Sequence, residues 1–248
     1  MRRFFINAPV SDCMVIDGAD ARHIVMVLRL TAGDKLLVTG TDGKACLAEI
    51  TQITAAAVQL KWLETLADNT EPPLVVYLVQ GLAKGEKMDF IVQKAVELGV
   101  YAIIPAVTEH CVVKYDLAKK AERVTRWQKI AREAAKQCGR SYIPQIYPVT
   151  ALADVLTNQD FASAEKIMLY EGQAAAGLKQ VLAARNTPKP AIMLFIGPEG
   201  GFSPGEVKLC QSHGADTVSM GPRIMRTETA ALAALTAVMY ERGDLGGS

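Results

Sequence analysis

Ile196-Gly197-Pro198-Glu199-Gly200-Gly201-Phe202-Ser203-Pro204-Gly205-Glu206 is the stretch on which the fold class turns. Its second half spells out a helix start: a serine that can accept a backbone hydrogen bond, a proline at the first helical position, and a glutamate three residues after the serine. Its first residue closes Ala191 to Ile196, an apolar run of strand length. Gly197 to Phe202 is therefore a loop that leaves the C-terminal end of a strand and enters a helix. In open α/β sheets, that end is where ligands bind. Three glycines in the five positions from Gly197 to Gly201 allow a flat ligand to approach the backbone and meet bare N–H groups. The spacing is not G-x-G-x-x-G and no Lys-Ser/Thr follows, so neither the dinucleotide nor the Walker A fingerprint is present. A loop that merely turns the chain accounts for the same residues.

The pattern repeats on both sides of this stretch. Leu74 to Val79 reads as a buried strand, and Met88, Ile91, Val92, Ala95, Val96 and Leu98 recur at helical spacing until Gly99 stops the helix. Ala102 to Ile104, Ile167 to Tyr170 and Thr217 to Met220 are further strands. Repeated strand-then-helix order predicts an α/β domain with a mainly parallel sheet and helices on both faces. Met220 to Arg226 becomes a second strand-to-helix loop, with Thr227 as the expected cap of a helix over Ala230 to Tyr240.

The first seventy residues read differently. Phe4 to Ile6, Lys35 to Thr39, Ala45 to Ile50 and Ala57 to Trp62 are β-like, with Asp42-Gly43 as a tight hairpin turn and Ala21 to Leu28 as a short helical stretch. Short strands and turns at this density predict a small β-barrel. The polar passage Glu64 to Pro73, ending Pro72-Pro73, is the expected linker, giving domains at 1–70 and 74–248.

Composition narrows the partners only a little. Half of the 248 residues are apolar and 21% are charged, ordinary for a soluble globular protein. No apolar run has transmembrane length, and Asn7-Ala8-Pro9 follows Arg2-Arg3 too soon for a signal sequence, so a cytoplasmic protein is expected. Cys13, Cys46, Cys111, Cys138 and Cys210 lack C-x-x-C spacing and are expected as buried thiols; no metal is expected. Cys210 and His213 could share a helix face, but two ligands do not make a zinc site.

The net charge of +1 hides an uneven distribution. Between Lys114 and Tyr142 nine Lys/Arg stand against three acids. Lys119, Arg123, Arg126, Lys129, Arg132, Lys136 and Arg140 step by three or four, with Leu117, Ala121, Val124, Ala131, Ala134 and Cys138 on the expected core side. A solvated face explains such a stripe, and so does a phosphate-contacting one. The loop Met220-Gly221-Pro222-Arg223-Ile224-Met225-Arg226-Thr227-Glu228-Thr229 gathers two arginines, a glutamate and two threonines at a helix start. There the free N–H groups favour anions, and Arg226 adds a planar fork for phosphate or carbonyl oxygens. An ion pair between Arg226 and Glu228 is the plainer reading.

Taken together, Ile196 to Phe202 and Gly221 to Ala230 resemble the signature of the SPOUT methyltransferase superfamily, and within it the bacterial 16S ribosomal RNA uridine-N3 methyltransferases. Three more segments agree: Lys84 to Asp89 leading to Lys94 to Val100, Arg126 to Ile130 through Gln137 to Arg140, and Arg22-His23-Ile24 with Val27-Leu28-Arg29. The resemblance covers nearly the whole chain. It implies a C-terminal α/β domain with a deep trefoil knot, which no periodicity could reveal, and an N-terminal PUA-like barrel.

Methyl transfer from S-adenosylmethionine to N3 of a uridine is the implied activity, with 16S ribosomal RNA or the small ribosomal subunit as partner and a homodimer as the working form. The donor site it implies takes in Leu169, Tyr170, Glu171, Ile196, Gly197, Pro198, Glu199, Gly200, Gly201, Phe202, Met220, Gly221, Ile224, Met225 and Thr229. Uridine N3 carries a proton at neutral pH, so a base or an oxyanion-stabilising cation is needed. Arg226 is assigned to the uracil oxygens or a phosphate, and Glu228 or Glu199 to the proton. Arg2, Arg3, Arg22, His23, Arg29, Lys84, Lys87, Arg126, Arg132 and Arg140 are the expected RNA contacts. The family more often carries Arg-Ser where this chain has His110-Cys111, which leaves the role of both open; a nucleophilic dyad is disfavoured because adjacent strand residues face opposite ways. Two other readings remain: an RNA-binding adaptor of SPOUT-like fold without donor binding, and a nucleotide-binding α/β protein using Gly197 to Gly201.

Overall fold

The computed structural model describes residues 2–54, 56–67, 70–172, 176–184 and 191–247. Part of the expected linker lies outside the described residues. The chain forms two compact units: Met1–Glu71 with Ala135–Ile143, and Pro72–Ala134 with Pro144–Ser248. No helix among the described residues is long and apolar enough to cross a membrane.

The first unit is a five-stranded sheet ordered β1-β3-β4-β5-β2, from β1 (Arg3–Phe5), β2 (Cys13–Asp17), β3 (Lys35–Thr39), β4 (Ala45–Ile53) and β5 (Ala57–Thr65). Only the β1–β3 pair is parallel. Register shifts at Leu47/Ala48 and Ile50/Gln52 bend the long β4–β5 pair, so one face of all five strands curls around a single core including Phe4, Met14, Ile16, Val38, Ile50 and Leu60. Strand β2 was not expected. It alternates Met14 and Ile16 inward with Cys13, Val15 and Asp17 outward, and the outward cysteine and valine hide the polar half of its period.

Two local readings change. Thr39 pairs with Ala45, so the Asp42-Gly43 turn is a five-residue loop rather than a two-residue one. Only Gly43 takes a left-handed backbone (φ 73°), while the Asp42 carboxylate accepts from the N–H groups of Val10 and Lys44 at 3.3 and 3.4 Å. The helix α1 (Gly18–Arg22) starts before Ala21 and runs into a wider turn at His23–Val27, closed by Leu28 N–H to His23 O at 3.0 Å. Arg29 follows with φ 54°, the one positive-φ non-glycine among the described residues.

The second unit carries a wholly parallel sheet. Its strands are β6 (Val75–Gly81), β7 (Ala102–Val107), β8 (Gln145–Ile146), β9 (Thr150–Ala151), β10 (Glu165–Leu169), β11 (Ala176–Gly177), β12 (Ala191–Ile196) and β13 (Ala215–Ser219). They are ordered β11-β13-β10-β12-β6-β7-β8, with β9 also on β7. The helices are α2 (Lys87–Glu97), α3 (Leu117–Cys138), α4 (Leu152–Thr157), α5 (Leu178–Ala184), α6 (Pro204–Ser212) and α7 (Thr227–Arg242). Met168, Met193 and Phe195 face the core shared with Leu152 and Val155 of α4 and Val207 and Cys210 of α6. The opposite face of β12 and β6 takes α7, which also packs on α2. This is the mixed α/β architecture with helices on both sheet faces that the strand–helix alternation predicted.

Helix α3 corrects the expected core side of the basic stripe. Leu117, at 84% exposure, and Ala121 face solvent, whereas Trp127, Ala131, Ala134 and Ala135 are buried. The helical period was right; the helix simply starts before the surface it packs on. Arg140 is only 4% exposed, and its Nε and Nη2 donate to Glu71 Oε2 at 3.0 and 2.6 Å. Glu71 Oε1 also accepts from the N–H groups of Ser141 and Tyr142, so Arg140 ties a chain reversal together and has no fork left for phosphate. Lys136 pairs with Asp20 at 2.6 Å. Arg3 is likewise buried, with Nη1 donating to Thr39 Oγ1, and is corrected from RNA contact to core support. Of the cysteines expected inside, Cys13 is exposed and Cys138 half-buried. Cys46, Cys111 and Cys210 are buried, and burial pushes the Cys210 thiol up to about 12.

Candidate functional site

Strands β13, β10 and β12 are neighbours and end together, at Ser219, Leu169 and Ile196. The loops that leave them, beginning at Met220, Tyr170 and Gly197, enclose a cleft of about 470 Å³. This is the size of a small-molecule site, and its position is the one that parallel sheets reserve for ligands. Apolar groups of Leu169, Ile196, Phe202, Val218 and Met225 line it together with the glycine backbone of Gly197, Gly201 and Gly221; Lys87, Glu199 and Arg226 supply charge.

The loop after β12 is tied down from several sides. Pro198 O accepts from Gly201 N–H at 2.9 Å, and Gly201 takes φ 67°, which glycine alone adopts freely. Beneath it Gly81 ends β6, where an added Cβ would lie 2.6 Å from the Pro198 nitrogen. His110 Nδ1 lies 2.9 Å from Gly200 O, and a Cβ on Gly200 would meet the His110 Cβ at 2.8 Å. The capping box at Ser203 is fully formed: Glu206 N–H donates to Ser203 Oγ at 3.2 Å, and Ser203 N–H to Glu206 Oε2 at 2.9 Å. Glu206 Oε1 takes a further bond from Glu109 N–H at 2.8 Å. His110 is therefore a buttress of this loop.

Thr227 is not the cap of α7. Arg226 holds that position, with extended backbone and no side-chain cap bond, and Thr227 is the first helical residue. Its hydroxyl instead donates to Gly197 O at 2.6 Å and accepts from Gln80 Nε2 at 2.9 Å.

A small charge cluster sits at the rim. Glu199 Oε1 accepts from Lys87 Nζ at 2.9 Å and from Lys84 N–H at 3.0 Å, and Lys87 Nζ lies 3.7 Å from Glu228 Oε2. Burial pushes the Glu199 carboxyl upward, but the hydrogen bonds from Lys87 and the backbone outweigh it and hold the group below its usual range. The Glu199 hydrogen bond, helped by the charge of Glu228, raises Lys87 above the usual lysine value. Glu228 Oε2 is buried and has no hydrogen-bond partner among the described residues.

A family model described as an RNA methyltransferase domain matches residues 70–239, and an RNA methyltransferase PUA domain matches 16–61. The ribosomal RNA small subunit methyltransferase E of Bacillus subtilis is 35% identical over 98% of this chain and 100% of its own length. The chain belongs to the ribosomal RNA small subunit methyltransferase E family. A second member, from a Buchnera aphidicola strain, is 32% identical over 98% of this chain and 96% of its own. Two solved structures extend the likeness to three dimensions. The methyltransferase E of Neisseria gonorrhoeae, bound to S-adenosyl methionine, superposes with TM-score 0.87 at 33% identity over 98% of this chain and 99% of that one. A Legionella pneumophila methyltransferase in complex with SAM gives 0.85 at 33% identity, covering 99% of this chain and 100% of that one.

In this family member the cleft gathers most of the residues that the sequence had grouped around a donor. Leu169, Tyr170, Glu171, Ile196, Gly197, Pro198, Glu199, Gly201, Phe202, Met220, Gly221, Ile224 and Met225 line it. Gly200 and Thr229 do not: Gly200 turns toward His110, and Thr229 lies on the exposed side of the first turn of α7. Glu228 is also outside the lining, held behind Lys87. Lys87, expected only as an RNA contact, lines the cleft, as do Val218, Ser219 and Thr227. The first of these carried a signal that was passed over, since Lys84 to Asp89 also leaves a strand end. Gln80 was missed because a glutamine at the end of an apolar strand looks like a strand end and nothing more.

The expected RNA contacts divide by unit. In the first, Arg2, Arg22 and Arg29 are exposed, and Arg2 Nη1 lies 2.8 Å from His23 Nε2. In the second, Lys84 is exposed, Arg132 is half-buried, and Arg126 reaches solvent while holding Asp89 through Nε and Nη2 at 2.9 and 2.6 Å.

Proposed function

We propose that this chain transfers a methyl group from S-adenosylmethionine to N3 of a uridine in 16S ribosomal RNA of the small ribosomal subunit. The observation that carries the reading is the cleft itself: glycine backbone and apolar side chains at three neighbouring strand ends, with Lys87, Glu199 and Arg226 at its edge. The residues fit the donor. Gly197 and Gly201 let its flat adenosyl part approach the backbone, and Leu169, Ile196 and Phe202 supply apolar walls. When bound, the donor supplies an electrophilic methyl on a sulfonium. The N3–C bond forms as the S–C bond breaks, leaving a neutral thioether.

The chain's own residues have two tasks. Arg226, exposed at the N-terminal cap of α7, holds the uracil oxygens or the neighbouring phosphate and offsets negative charge as N3 loses its proton. A carboxylate of the Lys87 cluster, Glu199 or Glu228, takes that proton, and hydrogen bonds from Lys87 and the backbone outweigh burial and hold the Glu199 carboxyl below its usual range. Residues 74–248 serve as the SPOUT methyltransferase domain, with the trefoil knot implied by the resemblance. Residues 1–70 serve as the PUA-like RNA-binding domain, through Arg2, Arg22, His23 and Arg29. A cytoplasmic homodimer is part of the proposal.

The test has two arms. Calorimetry should find saturable S-adenosylmethionine binding; its absence would leave an RNA-binding adaptor. Mapping of modified bases in 16S ribosomal RNA from a deletion strain should then find one N3-methyluridine missing and restored by complementation. An unchanged map would reject the substrate.

A further inference from the structure

We propose that Thr227 and Gln80 are positioning residues that set the distance between the donor loop and the charged start of α7. The inference rests on the methyl-transfer reading above and deepens it. Gln80 lies on β6 directly opposite Ile196 in the parallel register, so it stands beside the exit of the donor loop. It is 0% exposed. Its Nε2 donates to Gly81 O and to Thr227 Oγ1, both at 2.9 Å, with Gly197 O at 3.5 Å. Thr227, 5% exposed, passes the bond on to Gly197 O at 2.6 Å.

The direction of this relay is fixed by chemistry. A carbonyl oxygen cannot donate and an amide nitrogen cannot accept, so the single hydroxyl proton of Thr227 must point at Gly197. Stability alone does not explain the arrangement. Among the described residues Gln80 Oε1 has no hydrogen-bond partner although it is buried, a penalty that an apolar side chain of the same size would avoid. Nor is helix capping the reason, because Thr227 lies inside the helix and its hydroxyl points to another element.

The relay joins the two parts that methyl transfer must align. Gly197 and Thr227 both line the cleft, and Thr227 stands between Arg226 and Glu228. One hydroxyl thus sets how far the bound methyl lies from the groups that handle the base. A misplacement of about 1 Å at such a joint costs on the order of 10²-fold in rate.

The experiment compares Thr227→Val, which keeps the shape and removes the hydroxyl, with Thr227→Ser, which keeps the hydroxyl. Turnover on small subunits, donor Kd by calorimetry and Tm are measured for each. Thr227→Val should lose roughly 10²-fold in kcat with less than about a tenfold change in donor Kd, and Thr227→Ser should recover to within a few-fold of the parent. Gln80→Met should lower kcat by a smaller factor, and the double variant should be no slower than Thr227→Val alone, because both act through one relay. If Thr227→Val does not fold, Gln80→Met decides on the same kcat-against-Kd split. Unchanged kcat, or a serine variant as slow as the valine one, overturns the inference while the methyl-transfer reading stands. An unmodified chain that binds the donor yet methylates no RNA overturns both.

Discussion

The two loops that face each other across the cleft are built in opposite ways. The loop Gly197 to Phe202 is held by Gly81 beneath it, His110 at its tip, Lys84 and Lys87 on Glu199, Thr227 on its first carbonyl, and a complete capping box at its exit. The loop Met220 to Arg226 opens with a local contact, Gly221 N–H to Ser219 Oγ at 3.1 Å, and then carries Pro222, Arg223, Ile224 and Arg226 into solvent. Ile224 is 81% exposed. A wall bonded on several sides faces a largely exposed one. A small donor of fixed shape gains from a preorganised wall, and a large RNA that arrives from outside gains from arginines free to find its phosphates.

The comparison makes separable predictions. The largest effect belongs to the open loop: Arg226→Ala should reduce kcat about 10²–10³-fold, the usual cost of removing one charge-stabilising donor, with donor affinity intact by calorimetry. Wild-type turnover in that variant would remove Arg226 from the chemistry. On the bonded side, Gly81→Ala forces a Cβ to within 2.6 Å of Pro198. It should cost about 1–3 kcal/mol by denaturant unfolding and weaken donor binding as well, because overpacking must displace the loop. Ser203→Ala breaks the capping box and should cost about 1 kcal/mol with a lower Tm. A change at Arg223, by contrast, should stay within roughly 0.5 kcal/mol of the parent.

The smallest effect is a pH dependence. Glu199 is lowered in the folded protein, so its contribution is present above its unfolded value of about 4.3 and is lost as pH falls through the lower folded value. Lys87 is raised, so its contribution is present below about 10.4 and is lost as pH rises through the higher folded value. Donor affinity should therefore be flat between these limits and fall only beyond them. Both side chains are partly exposed, so salt should weaken the pair. A donor Kd that changed steeply between these limits would show that a group outside this pair governs the loop.

Much of this architecture can be read along the chain, and the misread roles of Arg140 and Thr227 share one cause. The capping box at Ser203 is local: serine, proline and glutamate at fixed offsets need no partner from elsewhere, and it formed as expected. The parallel sheet follows from strand and helix periods of the same local kind. Arg140 looked like one more member of a basic stripe until Glu71, sixty-nine residues away, closed on it. Thr227 looked like a cap until Gly197 and Gln80 took its hydroxyl. In each case the residue type was right for the role assigned, and a distant partner claimed it first.

Sequence by itself determined most of the longer strands and helices, where the two loops begin and end, and which residue types crowd around them, because periodicity, capping and glycine freedom act within a few residues. Tertiary structure alone decided that strands ending at Ile196, Leu169 and Ser219 lie side by side, that Lys87 enters the cleft, and that Gln80 reaches Thr227 across 147 positions of chain. The physical reason is that hydrogen bonds and ion pairs depend on separations of about 3 Å in space, and the chain acquires those separations only when its sheet has assembled.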